Sequence, residues 1–315
     1  MTSIPATEQD AALVAIIEVR SRESDNPPRL SIIIPHRGNA ELLADCFTAL
    51  AAQTEAPWEI IVGNNGDASE NTVIHAVAAR HGLAVVVTHA EQIGAGPARN
   101  AGVAVANGEW LAFIDSDCRP TPSWVAAGRR ALAVHPLFGG RIVVEANDAA
   151  RPTAVEAFDL EFGLDAERFL RRAGHLLTPN LFCARGVFDR VGPFRASVPE
   201  DREWSYRAAA AGINLCYVAS AVVVHPALAT WPQLAFRWRR MTREEHCWSR
   251  ERRFGRLGFW LRSWLVLGSV VPHSVRLLRS RQLHGVSRLS VIGVLVKSRI
   301  DRFILAQQLV LRAST

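Results

Sequence analysis

Asp115 and Asp117 are the residues of this chain whose types and spacing most directly suggest chemistry. They follow Trp110-Leu111-Ala112-Phe113-Ile114, an apolar run that reads as a strand buried on both faces. Side chains at i and i+2 of extended backbone project to one side, so the two carboxylates repel each other. A hard divalent cation removes that repulsion; Mg²⁺ and Mn²⁺ take carboxylates together with substrate phosphates. This is a metal–diphosphate reading, a DxD motif at a strand's carboxyl end. Asp-Ser-Asp is also ordinary Asx-turn chemistry, and the spacing alone leaves both readings open.

Three further features bear on that choice. Arg99 falls in the first turn of a helix opened by Gly94-Ala95-Gly96-Pro97. Glycines permit close backbone approach and a helix N-terminus attracts anions, so Arg99 is suited to a phosphate or nucleoside. A surface arginine pairing with an acidic neighbour explains it equally well. Glu200-Asp201 opens a helix after Pro199. The helix dipole favours acids there, and a carboxylate there could equally take a proton from an attacking hydroxyl. His225 ends an apolar strand, where a histidine is either structural or a ligand.

The elements that must position these groups have a regular rhythm. Leu30–Ile34, Trp58–Val62, Leu83–Thr88 and Trp110–Ile114 are predicted strands. Glu41–Ala52, with Asn39 as N-cap, Glu70–Ala79 and Pro97–Ala106 are the predicted helices between them. Alternation at this spacing predicts an α/β fold with a mostly parallel central sheet flanked by helices. Right-handed crossovers open every strand's carboxyl end on one edge, where such sheets bind ligands. The loops Pro35–Gly38, Gly63–Asp67, Gly94–Asn100 and Asp115–Asp117 converge there. Downstream, Ser123–Val134, Thr153–Leu170 and Glu200–Ala211 are predicted helices, and Phe138–Glu145, Asn180–Cys183 and Ala221–Val224 predicted strands.

Charge divides the chain unevenly. Residues 229–315 hold 17 basic and 4 acidic residues, against 19 and 26 in residues 1–228. A basic tail beside apolar segments points to an anionic partner. Five dispersed cysteines without a zinc spacing fit a reduced compartment and serve as filling for the interior. Residues 1–28 read as a leader ending in Asp25-Asn26-Pro27-Pro28, and Glu8 and Asp10 stand where a secretory signal needs basic residues.

Several motifs, in order, resemble the family 2 inverting glycosyltransferases of the GT-A fold. They are Ser31-Ile32-Ile33-Ile34-Pro35-His36-Arg37, Glu59-Ile60-Ile61-Val62-Gly63-Asn64-Asn65-Gly66, Gly96-Pro97-Ala98-Arg99-Asn100-Ala101-Gly102 and Gly108–Asp117. Asn180, Val191-Gly192-Pro193-Phe194, Glu200-Asp201, Arg207, Gly212 and His225 follow in the family's order. The resemblance covers about residues 29–228 and implies a GT-A catalytic domain there, after the leader (1–28) and before a basic amphipathic helical region (229–315). It implies an enzyme that moves a sugar from a UDP-, GDP- or dTDP-linked donor to a hydroxyl of a glycan or lipid-linked acceptor, as in polysaccharide biosynthesis.

In residue terms it implies Asp201 as catalytic base with Glu200 beside it. Donor contacts fall to Pro35, His36, Arg37, Asn64, Asn65, Arg99, Asn100 and Asp115. Asp115, Asp117 and His225 become ligands for Mg²⁺ or Mn²⁺, and Asn180 and Trp204 acceptor contacts. One departure stands out: the family usually carries an aspartate where Asn64 stands, often with another acid adjacent. An amide still accepts a hydrogen bond, but the charge is gone. Asp67 stands close enough to substitute.

The tail alternates aromatics and arginines, as in Phe236-Arg237-Trp238-Arg239-Arg240. Gln233–Trp238 loosely echoes an acceptor-gripping motif of processive relatives. Its longest uncharged stretch, Ser263–Val275, is shorter than the ~20 residues a spanning helix needs, and Leu257–Val275 is interrupted by Arg262. Helices lying in the headgroup plane of an anionic membrane, peripheral on its cytoplasmic face, fit better. An ordinary helical subdomain against the core is the alternative. No nucleic-acid recognition motif is present. Two rival functions remain. A nucleotidyltransferase wants a Gly-rich basic loop after the first strand, of which Pro35–Gly38 is a thin version. A non-catalytic membrane-associated relative is favoured by Asn64-Asn65.

Overall fold

A computed structural model describes residues 28–312 apart from 281, 282 and 284. The leader predicted over residues 1–28 therefore lies, but for Pro28, outside the described residues. In chain order the elements begin with β1 (Leu30–His36), a 3₁₀ turn (Ala40–Leu43), α1 (Ala44–Ala51), β2 (Glu59–Asn64), α2 (Glu70–Arg80), β3 (Val86–His89), α3 (Ala95–Val105) and β4 (Trp110–Ile114). Then come β5 (Arg119–Pro120), α4 (Trp124–Leu132), β6 (Leu137–Glu145), α5 (Ala154–Phe162), α6 (Ala166–Ala173), β7 (Asn180–Ala184), α7 (Arg185–Val191), α8 (Glu200–Ala210) and β8 (Cys216–Pro226). The tail forms α9 (Trp231–Ser249), α10 (Gly255–Gly268), α11 (Val270–Arg279) and α12 (Arg288–Arg312).

The strands make one eight-stranded sheet in the order β3-β2-β1-β4-β7-β6-β8-β5. β1, β2, β3 and β4 pair in parallel, as the strand–helix rhythm requires. β7 then enters antiparallel to both β4 and β6, and β5 runs antiparallel to β8, so the sheet is mixed. β1 and β4 are buried along their whole length, which explains the apolar runs at 32–35 and Trp110–Ile114; the buried Ser31 hydroxyl of β1 donates to Glu59.

Several predicted boundaries move. The helix predicted from Glu41 opens instead as a 3₁₀ turn, capped by the Asn39 side chain on the Glu41 amide. Thr153–Leu170 is two helices: α5 stops at Gly163, where a Cβ would sit 2.2 Å from the Asp159 carbonyl oxygen. The strand predicted at Ala221–Val224 extends over Cys216–Pro226. The last part of the tail is one 25-residue helix.

The chain divides into two compact units. Among the described residues, the first holds 28–143, 165–196 and 200–225; the second holds 144–164, 197–199 and those from 226 to 312. The first contains the sheet. The second has its own core, in which Val155 and Phe158 of α5 meet Leu234, Leu277, Val291 and Leu295 of the tail helices. Two buried acids of α5 tie it further. Asp159 accepts from Arg237 and from the Leu228 amide, and Glu161 accepts from Arg276 and Ser280. Among the described residues, no helix is long and apolar enough to cross a membrane.

Candidate active site

The carboxyl ends of the parallel strands carry the predicted loops, and hydrogen bonds link them. The Asn65 amide donates to the His36 carbonyl at 2.7 Å, and the Gly94 amide donates to Asn65 Oδ1 at 2.6 Å. Gly63, at the end of β2, allows α3 to come close: a Cβ there would lie 2.1 Å from the Ala98 carbonyl oxygen. That approach sets the first turn of α3, and with it Arg99, beside the strand ends.

Arg99 is the centre of the site. It is 2% exposed, and its Nη2 donates to Asp115 Oδ1 at 2.6 Å while Nη1 donates to Glu200 Oε1 at 3.1 Å. Its Nε is buried without a hydrogen-bond partner, and its guanidinium lies over the Phe194 ring at 5.9 Å. Burial opposes the charge, but Asp115 and Glu200 outweigh it and raise the pKa further. The surface reading of Arg99 is thereby excluded.

Asp201 follows Glu200 in the first turn of α8. Its carboxylate accepts from the Arg202 amide at 2.8 Å. Loss of water around it, then the neighbouring charge of Glu200, push its pKa up to about 7. A carboxylate tuned there can hold or release a proton at neutral pH.

Asp117 diverges from Asp115. Its Oδ2 lies 3.8 Å from His225 Nε2, and ligating atoms of Asp117, Cys118 and His225 all lie within 4.8 Å of one another. Asp117 and His225 suit a divalent cation such as Mn²⁺. Cys118 suits it less: burial, then the charges of Asp117 and Asp115, push its thiol well above the ordinary range and keep it protonated. Read from the sequence as a filler of the interior, Cys118 also stands at this cluster; its place directly after Asp117 was the available signal.

The remaining predicted residues divide by what they touch. Pro35 and His36 are buried at the end of β1, while Arg37 is exposed. His36 Nε2 lies 3.1 Å from the Gly38 carbonyl, and burial lowers its pKa. The Asn64 amide is committed to its own loop: Nδ2 donates to the Asp67 carbonyl and to Asn71, and Oδ1 accepts from the Gly66 amide. Asn65 likewise donates to the Ala90 and Gln92 carbonyls. Asn100 pairs with both backbone groups of Phe194, fixing the segment that lies over Arg99.

Asn180 and Trp204 correct an expectation. At 1% and 0% exposure neither has surface to offer an acceptor. Asn180 clasps Trp124 Nε1 and the Arg141 and Ala221 carbonyls, joining α4, β6 and β8 around β7. Trp204 Nε1 donates to the Gly192 carbonyl at 2.8 Å. Arg207, one turn on, donates to the Val191 and Pro193 carbonyls and is held by Glu203. α8 thus grips residues 191–193 while presenting Glu200 to Arg99.

At one edge of this mixed sheet, therefore, linked loops surround Arg99, buried between two acids distant in sequence. Residues 31–188 match glycosyl transferase family 2, and the chain belongs to that family. It is 28% identical to glycosyltransferase AglE of Haloferax volcanii over 85% of this chain and 91% of that one. It is 27% identical to a PGL/p-HBAD biosynthesis glycosyltransferase of Mycobacterium bovis over 57% of this chain and 68% of the other. Among solved structures, a mannosyltransferase from Pyrobaculum calidifontis, in complex with GDP-Man and Mn²⁺, shares the fold. Its TM-score is 0.57 at 14% identity, over 94% of both chains.

Proposed function

We propose that this glycosyltransferase inverts the anomeric carbon as it moves a sugar from a nucleotide-diphosphate donor to a hydroxyl of a glycan or lipid-linked acceptor. The observation that carries the proposal is the Arg99 bridge. Arg99 joins Asp115, the first acid of the DxD pair and 16 residues on, to Glu200, 101 residues on and next to Asp201. Donor-side and acceptor-side carboxylates therefore meet on one buried cation. Asp201 takes the proton of the attacking hydroxyl. A single base serving a single displacement reverses the configuration at that carbon.

Asp117 and His225 would hold Mg²⁺ or Mn²⁺, with Asp115 alongside. When bound, the cation supplies charge neutralisation for the departing nucleoside diphosphate. Mn²⁺ with GDP-Man in the mannosyltransferase of similar fold supports the cation and the donor class. The Arg99 guanidinium, 2% exposed and paired to both acids, acts from behind them as a fixed positive charge that holds Asp115 and Glu200 in place. Asn64 and Asn65 act through the shape of the loop they staple. In the second unit, Leu257, Leu261, Trp264 and Leu265 are exposed on α10 of the basic tail, which supports peripheral contact with an anionic membrane.

The test is release of nucleoside diphosphate from a panel of UDP-, GDP- and dTDP-sugars, with Mn²⁺ or with chelator. Metal-dependent release from at least one donor is expected, with the product's anomeric configuration opposite to the donor's by NMR. No release and no nucleotide binding with Mn²⁺ would overturn the catalytic reading. A product that retains the donor's configuration would overturn the single-displacement reading.

A further inference from the structure

The second unit holds a cluster of arginines that the transfer chemistry does not use. α9, α10 and α12 border a half-open pocket of about 390 Å³ including its mouth. Arg262 and Arg302 line it, with one carboxylate, Glu245, and an apolar wall of Phe259, Val266 and Phe303. Arg299 stands behind and is 6% exposed, with Nε and Nη1 buried and lacking hydrogen-bond partners. The Nε of Arg302 is buried in the same condition, and its guanidinium lies 4.2 Å from the centre of the Trp238 ring. Burial, then the charges of Arg299 and Arg262, pull the Arg302 pKa down to about 9, with Glu245 opposing. Buried donors without partners are costly, and so are like charges held together away from water. An anion entering the pocket would meet Arg262 and Arg302, which line it, and relieve the crowding of like charge.

The pocket also adjoins apolar surface. Phe303 stacks edge-on against Trp264 at 4.5 Å, and Trp264 belongs with Leu257, Leu261 and Leu265 to the exposed stripe of α10. Arg262 is the one charge that interrupts the apolar run of residues 257–275. A phosphate joined to a hydrocarbon matches that combination: an anion for the arginines and an apolar tail for the wall and stripe.

We propose that Arg262 and Arg302 form a binding site for the phosphate headgroup of an anionic lipid, whose chains lie along the α10 stripe. The proposal builds on the membrane reading of the tail and is independent of the donor chemistry. Its test uses binding and not transfer, so failure of one leaves the other standing.

The experiment is flotation of the full-length protein with phosphatidylcholine vesicles, with and without phosphatidic acid. The wild type is expected to float with the acidic vesicles, and Arg262→Gln/Arg302→Gln to lose roughly tenfold or more in partition. Arg253→Gln, an exposed arginine away from the pocket, should lose much less. An equal loss in both would reduce the effect to general charge and overturn the site. Thermal melts guard against misfolding. Without lipid, Arg302→Met should melt no lower than the wild type, because it removes an under-paired buried charge. A lower melt with unchanged flotation would make Arg302 structural and overturn the proposal. Inorganic phosphate provides the soluble arm. If it alone raises the wild-type melting temperature and the vesicles do not bind, the pocket serves free phosphate and the lipid assignment falls.

Discussion

In the proposed transfer Asp201 accepts a proton at neutral pH, and its surroundings suit it to that role. Loss of water and the adjacent Glu200 raise its pKa to about 7, so the acid limb of kcat/KM should fall near that pH. Asp201→Asn should lower kcat by about 10²–10⁴-fold while leaving donor binding, measured by calorimetry, unchanged. Stability carries the same signature. The folded protein binds this proton more tightly than the unfolded chain, so its contribution is complete below about pH 4 and is lost as pH rises through about 7. The melting temperature of Asp201→Asn should therefore gain on the wild type across that interval. Arg99 makes the opposite case, a buried charge with both partners in place. Arg99→Met leaves Asp115 and Glu200 without their cation. It should cost about 3 kcal/mol in urea unfolding, at the low end for a broken buried pair because Asp115 keeps some contact with water.

At the scale of elements, α3 has to lie tightly on the sheet for Arg99 to reach two carboxylates. Gly102 makes that possible: a Cβ there would lie 2.7 Å from Cγ2 of Ile33, a fully buried residue of β1. Alanine improves helix propensity by about 1 kcal/mol, but overpacking against a fixed strand costs about 1–3 kcal/mol. Gly102→Ala should thus lower both the urea midpoint and kcat, whereas alanine at the uncrowded Gly186 should leave kcat unchanged. The parallel half of the sheet was legible because β1 and β4 are buried on both faces and punctuated by Pro35 and the Asp115 turn. β5 is two residues long, and its existence depends on β8 running beside it, so no local pattern announces it.

For the whole molecule, the informative fact is that the second unit draws α5 from the middle of the chain. Val155 and Phe158 are buried there against the tail helices. A fragment ending at residue 228 would expose that face. It is expected to bind hydrophobic dye and to scatter light at concentrations where the full chain stays clear. A clear, dye-negative fragment would mean that α5 finds other cover. The tail's pattern of arginines and aromatics predicted amphipathic helices, and the helices are there. Their partner α5 precedes them by some seventy residues in a segment that reads as ordinary catalytic-domain helix.

Read alone, the amino-acid order was sufficient for the α/β rhythm, the common edge of four loops, and the acids at 115, 117, 200 and 201. These follow from periodicity and turn chemistry, which act over a few residues. Folding decided how those acids divide. Asp115 turns to Arg99, which also holds Glu200, while Asp117 turns to His225 beside Cys118. It also turned Asn180 and Trp204 inward as clasps and made Asn64 and Asn65 staples of a loop. A side chain's partner across a hundred residues depends on which strand lies next to which, and β7 entering antiparallel beside β4 is a property of the assembled sheet.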